Sequence, residues 1–131
     1  MELGWLEGSR TRLLNGKRSS LVRHLGTLPV VSWTTEDQEV LVGTPEKRRR
    51  FMDRGVIGEK PASLDIFAQH RRALEQKRRL LERGEKRSLN AWNEVLAPLI
   101  AKIGCWRAAY VERLDGLLAR LLIDKRVSLP K

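Results

Sequence analysis

The chain has 131 residues, with 26 Lys and Arg against 16 Asp and Glu, giving a formal net charge of +10. That length suits one domain or part of one, and a 41% hydrophobic fraction beside 32% charged residues excludes outright disorder, although seven aromatics make a lean core. The single Cys105 excludes an internal disulfide and suits a reducing compartment, and the uncharged stretch His24–Thr35 is too short to span a membrane and lies too far in for a signal peptide.

The first predicted element is a β-hairpin. Asn15-Gly16 is a strong turn signal, because both central residues of a type I′ turn need positive φ. Its strands would be Arg10–Leu14 and Lys17–Ser20, and a further strand is expected over Leu28–Trp33, with Pro29 at its beginning. Such strands either pair with sequence outside the chain or form a small flap.

From Thr35 onward the signals are helical. Thr35 followed by Gln38 has capping-box spacing, and Gly43 suits a left-handed C-cap that stops a short helix. Thr44-Pro45 restarts a helix as N-cap and first helical residue. Phe51 and Met52 are its apolar contacts, Gly55 and Gly58 loosen its end, and Pro61 with Ser63 opens the next helix.

That helix is predicted over Ser63–Arg83. Leu64, Phe67, Leu74 and Leu81 form a stripe interrupted by Arg71 and Arg78, which reads as a helix resting on one partner. Gly84–Ser88 is a turn suited to an αα-hairpin. Leu89, Trp92, Leu96, Leu99, Ile103, Trp106 and Tyr110 then follow a 3-4 alternation, and Leu114, Leu117, Leu118, Leu121 and Leu122 continue it with shifted phase. Pro98 predicts a kink or a break in this helix. The end, Val127–Lys131, reads as cut off rather than capped. The expected fold is mainly α: a helical hairpin with a basic first arm and an apolar second arm, preceded by a β-hairpin and strand.

The charge is uneven. Residues 1–46 carry a net −1, residues 47–87 a net +8, and residues 88–131 a net +3. A field of that kind attracts polyanions, nucleic acid above all, while its structural alternative is a set of solvated helix faces. An anionic membrane fits less well, because the basic helix lacks a broad apolar face. The candidate phosphate-binding residues are Lys47, Arg48, Arg49 and Arg50, some of whose arginines could instead pair with Glu46 or Asp53 or with a lobe outside the chain, and Arg71, Arg72, Lys77, Arg78 and Arg79, which spread over more than half the circumference of their helix.

No catalytic constellation is visible. His24 and His70 are far apart, Cys105 has no metal-ligand spacing and reads as a small buried hydrophobe, and His70 reads as a surface or interhelical side chain. Gly16-Lys17 is not a phosphate-binding loop, since Thr11 and Arg18 stand where that motif needs glycine and Ser or Thr. Trp92 and Trp106 sit on the a/d seam and read as core, with base stacking as the alternative.

The order Leu28-Pro29-Val30-Val31, Thr35-Glu36-Asp37, then Val42-Gly43-Thr44-Pro45-Glu46-Lys47-Arg48-Arg49-Arg50-Phe51-Met52-Asp53-Arg54 closely resembles the bacterial RecF family. The likeness continues through Ala73–Leu81, Ala91–Leu99 and Trp106–Tyr110, and covers roughly residues 12–122. Thr34-Thr35-Glu36-Asp37 departs from the family's usual proline before Glu-Asp, and Met52 from its leucine. The resemblance implies an SMC-type ABC ATPase that binds ATP with magnesium, dimerises, and binds DNA at single-strand/double-strand junctions. It implies work with RecO and RecR in loading RecA at gaps, in the cytoplasm, as part of the DNA-damage response. It assigns residues 1–34 to a β remnant of the nucleotide-binding lobe and residues 35–131 to the helical insertion lobe. The phosphate-binding loop is then expected upstream of residue 1, and the signature motif and Walker B acid downstream of residue 131. On this reading the chain by itself is not an enzyme and holds no metal or cofactor. The alternative is a stand-alone basic helical adaptor or oligomerisation module.

Overall fold

The computed structural model describes residues 2–6, 9–27, 30, 32, 34–85 and 88–124. Its elements in chain order are β1 (Glu2–Leu6), β2 (Ser9–Leu14), β3 (Lys17–Arg18), α1 (Leu21–Thr27), α2 (Thr35–Val42), α3 (Pro45–Glu59), α4 (Ser63–Glu82) and α5 (Leu89–Asp124). The mainly helical fold with an N-terminal hairpin is therefore present. The chain divides into two units, Met1–Ala68 and Gln69–Lys131.

In the first unit the Asn15-Gly16 turn forms as its sequence requires, with φ of 52° and 73°. Leu14 pairs with Lys17 and Leu13 with Arg18, antiparallel. β1, which the residue pattern did not signal, pairs antiparallel with β2 from Glu2↔Leu13 to Leu6↔Ser9. The sheet order is β1-β2-β3, so β2 finds partners on both sides within this chain. Of the strand expected over Leu28–Trp33, residues Leu28, Pro29, Val31 and Trp33 lie outside the described residues, and Val30 and Ser32 belong to neither helix nor strand.

α1 was also unannounced by the sequence. Ser20 Oγ accepts the Arg23 backbone N–H at 3.2 Å, capping its start, and the Thr27 hydroxyl donates to the Arg23 carbonyl at 2.8 Å. α2 begins at Thr35, but its N-cap is Thr34, one residue earlier than the Thr35/Gln38 spacing suggested. The Asp37 carboxylate accepts both the Thr34 backbone N–H at 2.8 Å and the Thr34 hydroxyl at 2.9 Å. A carboxylate outcompetes Gln38 here because its charge-assisted bonds also face the positive end of the helix.

Gly43 ends α2 with φ −83° and ψ −175°, an extended conformation and not the expected left-handed one. Glycine is needed for space: a Cβ there would lie 2.3 Å from the Glu39 carbonyl oxygen, which accepts the Gly43 N–H at 2.7 Å. α3 then starts at Pro45 with Thr44 as N-cap, as expected. It runs through Gly55 and Gly58 to Glu59 without loosening, and buries Val56. Ser63 begins α4, yet its fully buried Oγ has no hydrogen-bond partner among the described residues, so it caps nothing.

In the second unit the apolar core is Ala73 of α4 with Leu96 and Ile103 of α5. Leu89, Trp92, Leu99, Trp106 and Tyr110 are half-buried along the predicted seam. Of the stripe expected on α4, Leu64 and Phe67 are half-buried, but its second half is displaced. Leu74 and Leu81 are 44% and 55% exposed, whereas Ala73 is buried and His70, Lys77 and Leu80 are half-buried. The 70-73-77-80 spacing is helical, but a histidine, an alanine and a lysine disguise it as polar surface. α4 ends in a Schellman turn. Gly84 takes φ +72°, its N–H meets the Leu81 carbonyl at 3.1 Å, and the Glu85 N–H meets the Leu80 carbonyl at 3.0 Å.

α5 is one helix of 36 residues that continues through Pro98, so the break that was one of the two expectations there does not occur. The proline has no N–H to give Glu94, and both residues are exposed, so water can satisfy that carbonyl. Cys105 is exposed, contrary to its reading as a buried hydrophobe, because it lies about 200° round the helix from Ile103.

Candidate nucleic-acid interface

The basic residues of α3 belong to the first unit. Lys47 Nζ pairs with Glu39, and the Arg54 guanidinium pairs with Asp37; both partners are on α2. Lys47 and Arg54 are seven residues apart and so share one helix face, which α2 clamps at two points. Arg50 lies 3.6 Å from Glu46 on its own helix. Of the run Lys47–Arg50, Arg48 and Arg49 are exposed and make no ion pair among the described residues. Half of the run thus has local partners, and those of Lys47 and Arg50 are Glu39 and Glu46.

Asp37 is only 3% exposed, and its carboxyl is held below the ordinary aspartate range. The Thr34 backbone N–H is the largest cause, followed by the Thr34 hydroxyl; burial opposes both, and Arg54 adds to the lowering. Arg54, which the sequence motif contains without an assigned role, pairs with this buried carboxylate and adds to a lowering set mainly by Thr34. Its seven-residue spacing from Lys47 was the signal available in the sequence.

Arg71, Arg72, Lys77, Arg78 and Arg79 of α4 lie in the second unit. At about 100° per residue, Arg71, Arg72, Arg78 and Arg79 fall within roughly 120° of one another, and Ala73 lies about 160° round from Arg71. All four arginines are exposed and Ala73 is buried, so the outward face of α4 is the arginine face. Glu75 and Glu82 stand within it. Arg79 meets Glu75 at 2.8 Å and Arg78 approaches Glu82 at 4.0 Å, each one helical turn apart. Arg71 and Arg72 make no ion pair among the described residues. Arg83, which sequence reasoning counted in the charge but not in the site, is exposed just beyond the helix and extends the same face. Its position in the terminal turn of a basic helix was the available signal.

Lys77 does not join this face. It is half-buried and its Nζ donates to Asn93 Oδ1 of α5 at 2.6 Å, so it ties the hairpin together. Trp92 and Trp106 are half-buried, in keeping with seam positions, and Lys102 Nζ lies 5.4 Å from the Trp106 ring centroid. His70 is half-buried, on the side of α4 that carries Ala73. Among the described residues no group of three His, Cys, Asp or Glu could hold a metal ion, and no helix is long and apolar enough to cross a membrane.

This chain is similar to DNA replication and repair protein RecF of Myxococcus xanthus, at 38% identity over 82% of the chain and 29% of that protein. It is 32% identical to RecF of Geotalea daltonii over 87% of the chain and 31% of the relative. It is 31% identical to RecF of Vibrio cholerae over 88% of the chain and 32% of the relative. The chain thus spans about three-tenths of the length of the curated relatives it matches. No family model matches it, and no solved structure matches it.

Proposed function

We propose, for a chain that is a RecF homologue over most of its length, that it serves as the DNA-contacting helical lobe of a RecF-like replication and repair protein. The relatives carry DNA replication and repair in their names, and the observation that supports a DNA role for these particular residues is the outward arginine face of α4. Arg71 and Arg72 are the leading phosphate contacts, with Arg78 and Arg79 joining when DNA phosphates replace Glu82 and Glu75 as their partners. Arg48 and Arg49 of α3 form a second, smaller contact. Phosphate contacts position a protein on DNA without reading sequence, which suits a protein that acts wherever a gap occurs.

In this reading residues 1–34 are the edge of a nucleotide-binding lobe and residues 35–131 the helical lobe inserted into it. ATP binding with magnesium, hydrolysis and homodimerisation are assigned to the whole RecF-like protein and not to these residues. Junction binding, RecO and RecR contacts and RecA loading at gaps in the cytoplasm belong to the same proposal. Fluorescence anisotropy of the 131-residue chain with a gapped duplex at low salt tests it. Binding that weakens steeply with salt is expected, and no binding at about 50 mM salt, well below physiological ionic strength, ends the DNA role of this lobe.

One observation favours a second reading. Leu117, Leu118 and Leu121, toward the end of α5, are each more than half exposed. A helical adaptor would use such a stripe to pair with another chain. Sedimentation separates the two: an adaptor forms an oligomer that salt leaves intact, and a DNA-contacting lobe does not.

A further inference from the structure

The net charge of −1 over residues 1–46 conceals a strongly basic patch. All five of its cationic residues, Arg10, Arg12, Lys17, Arg18 and Arg23, fall between Ser9 and Thr27, and no acidic residue does. The fold gathers three of them. Leu14, Asn15, Lys17, Arg18, Ser19 and Arg23 line a recess of about 240 Å³ between the hairpin tip and α1. At about 30 Å³ per water in the liquid, that space is on the order of eight waters, ample for a phosphate group with part of its hydration.

Two further observations bear on what the recess accepts. Lys17, Arg18 and Arg23 are exposed and make no ion pair among the described residues, unlike Lys47, Arg50, Arg54, Arg78 and Arg79. The Ser19 N–H bonds to the Arg12 carbonyl at 2.8 Å, which fixes Ser19, one of the lining residues, to β2. Three cations that line one recess and make no ion pair among the described residues form a site whose chemistry asks for an anion with several oxygens. The type I′ turn and the capping bonds at Ser20 and Thr27 hold the hairpin tip and Arg23 in place.

We propose that the recess between the β2–β3 turn and α1 is a phosphate-group site, with Lys17, Arg18 and Arg23 as its cationic ligands. The group is either a free phosphate-bearing anion or a backbone phosphate of nucleic acid. The site is built from residues of the first unit and uses none of the α4 arginines.

The test is an amide-shift titration of the ¹⁵N-labelled full chain with inorganic phosphate, with pyrophosphate and with a short oligodeoxythymidylate, each against sodium chloride of matched ionic strength. Saturable shifts centred on Asn15–Arg23 are expected with at least one probe. A K17Q/R18Q/R23Q variant should bind that probe at least tenfold more weakly, while R71Q/R72Q keeps the shifts. If the oligonucleotide is the ligand, the triple variant also lowers its log–log salt slope by about 2, at about 0.7 per contact for single strands. Binding of the small anions alone identifies a free-anion site, and binding of the oligonucleotide alone identifies a backbone phosphate; either upholds the proposal. Should the triple variant fail to fold, R18Q alone, at an exposed tip position, should still weaken binding several-fold, and R23K should retain it. Shifts in this region no larger than with sodium chloride, or a variant that responds like the parent, overturn the site.

Discussion

Substituting Arg71 and Arg72 by glutamine gives the most direct measure of the arginine face, because neither side chain has an ion pair among the described residues to lose. If each contacts one phosphate of duplex DNA, R71Q/R72Q lowers the slope of log K against log salt by about 1.8, at about 0.9 per contact. A purely electrostatic contact loses its effect near 1 M salt, where parent and variant lines should meet. The affinity ratio is then roughly 200-fold at 50 mM and 20-fold at 200 mM. Anisotropy across that range on one gapped duplex reads both numbers. Two controls sharpen the result. E75Q frees Arg79 from its 2.8 Å partner and should strengthen binding. K77Q breaks the 2.6 Å bond to Asn93 and should lower hairpin stability while leaving the slope alone. An unchanged slope in R71Q/R72Q, or a larger change in K77Q, refutes the assignment of this face to phosphate.

Four further outcomes concern the scaffold. L96A removes a side chain that is 3% exposed and should cost about 2–5 kcal/mol in urea unfolding, whereas L81A, at a 55% exposed position, should cost under about 1 kcal/mol. G43A places a Cβ 2.3 Å from the Glu39 carbonyl and should lower the melting temperature, while G58A, with open space around its Cβ, should raise it by improving helix propensity. P98A restores a donor for the Glu94 carbonyl at an exposed helix position and should stabilise by about 1–3 kcal/mol; a loss of stability would show that α5 needs the proline. The carboxyl of Asp37 is lowered in the fold, so its contribution is present above the unfolded value and disappears as pH falls through the folded one. Acid unfolding should therefore steepen below about pH 4, and D37N should lose stability at neutral pH but show a shallower acid limb.

Most of the helical order was legible because it rests on local chemistry: Thr44-Pro45 at one start, glycine in the Gly84 turn, and a long 3-4 seam of large side chains on α5. What escaped did so for identifiable reasons. α1 has only seven residues and is capped by a serine with no acidic partner three positions on. The inward face of α4 is built from His70, Ala73, Lys77 and Leu80, which look like surface until a second helix lies against them. Gly43 looked like a conformational glycine and is a steric one, a distinction that depends on where the preceding carbonyl points. The candidate site was legible in composition only. Charge counting found the basic segment, but helical phase and acidic neighbours decide which cations face outward without a counter-charge.

Taken together, the ion pairs change how the Lys47–Arg50 run should be understood. Its dense charge invites the conclusion that the whole run faces DNA. Yet Lys47 and Arg54, seven residues apart, reach back to Glu39 and Asp37, and so tie α3 to α2 across the turn at Gly43. An exposed pair such as Lys47–Glu39 contributes at most about 1 kcal/mol. The Arg54–Asp37 pair matters for a different reason: without the guanidinium, a buried carboxylate relies on Thr34 alone. Charge reversal of the complete run would therefore disturb scaffold and phosphate contacts together, and a loss of DNA binding would not say which had failed. R48Q/R49Q touches the two arginines without ion pairs, and R54Q touches the clamp. A reduced salt slope with unchanged melting in the first, beside reduced melting with an unchanged slope in the second, would divide the motif into its two physical parts.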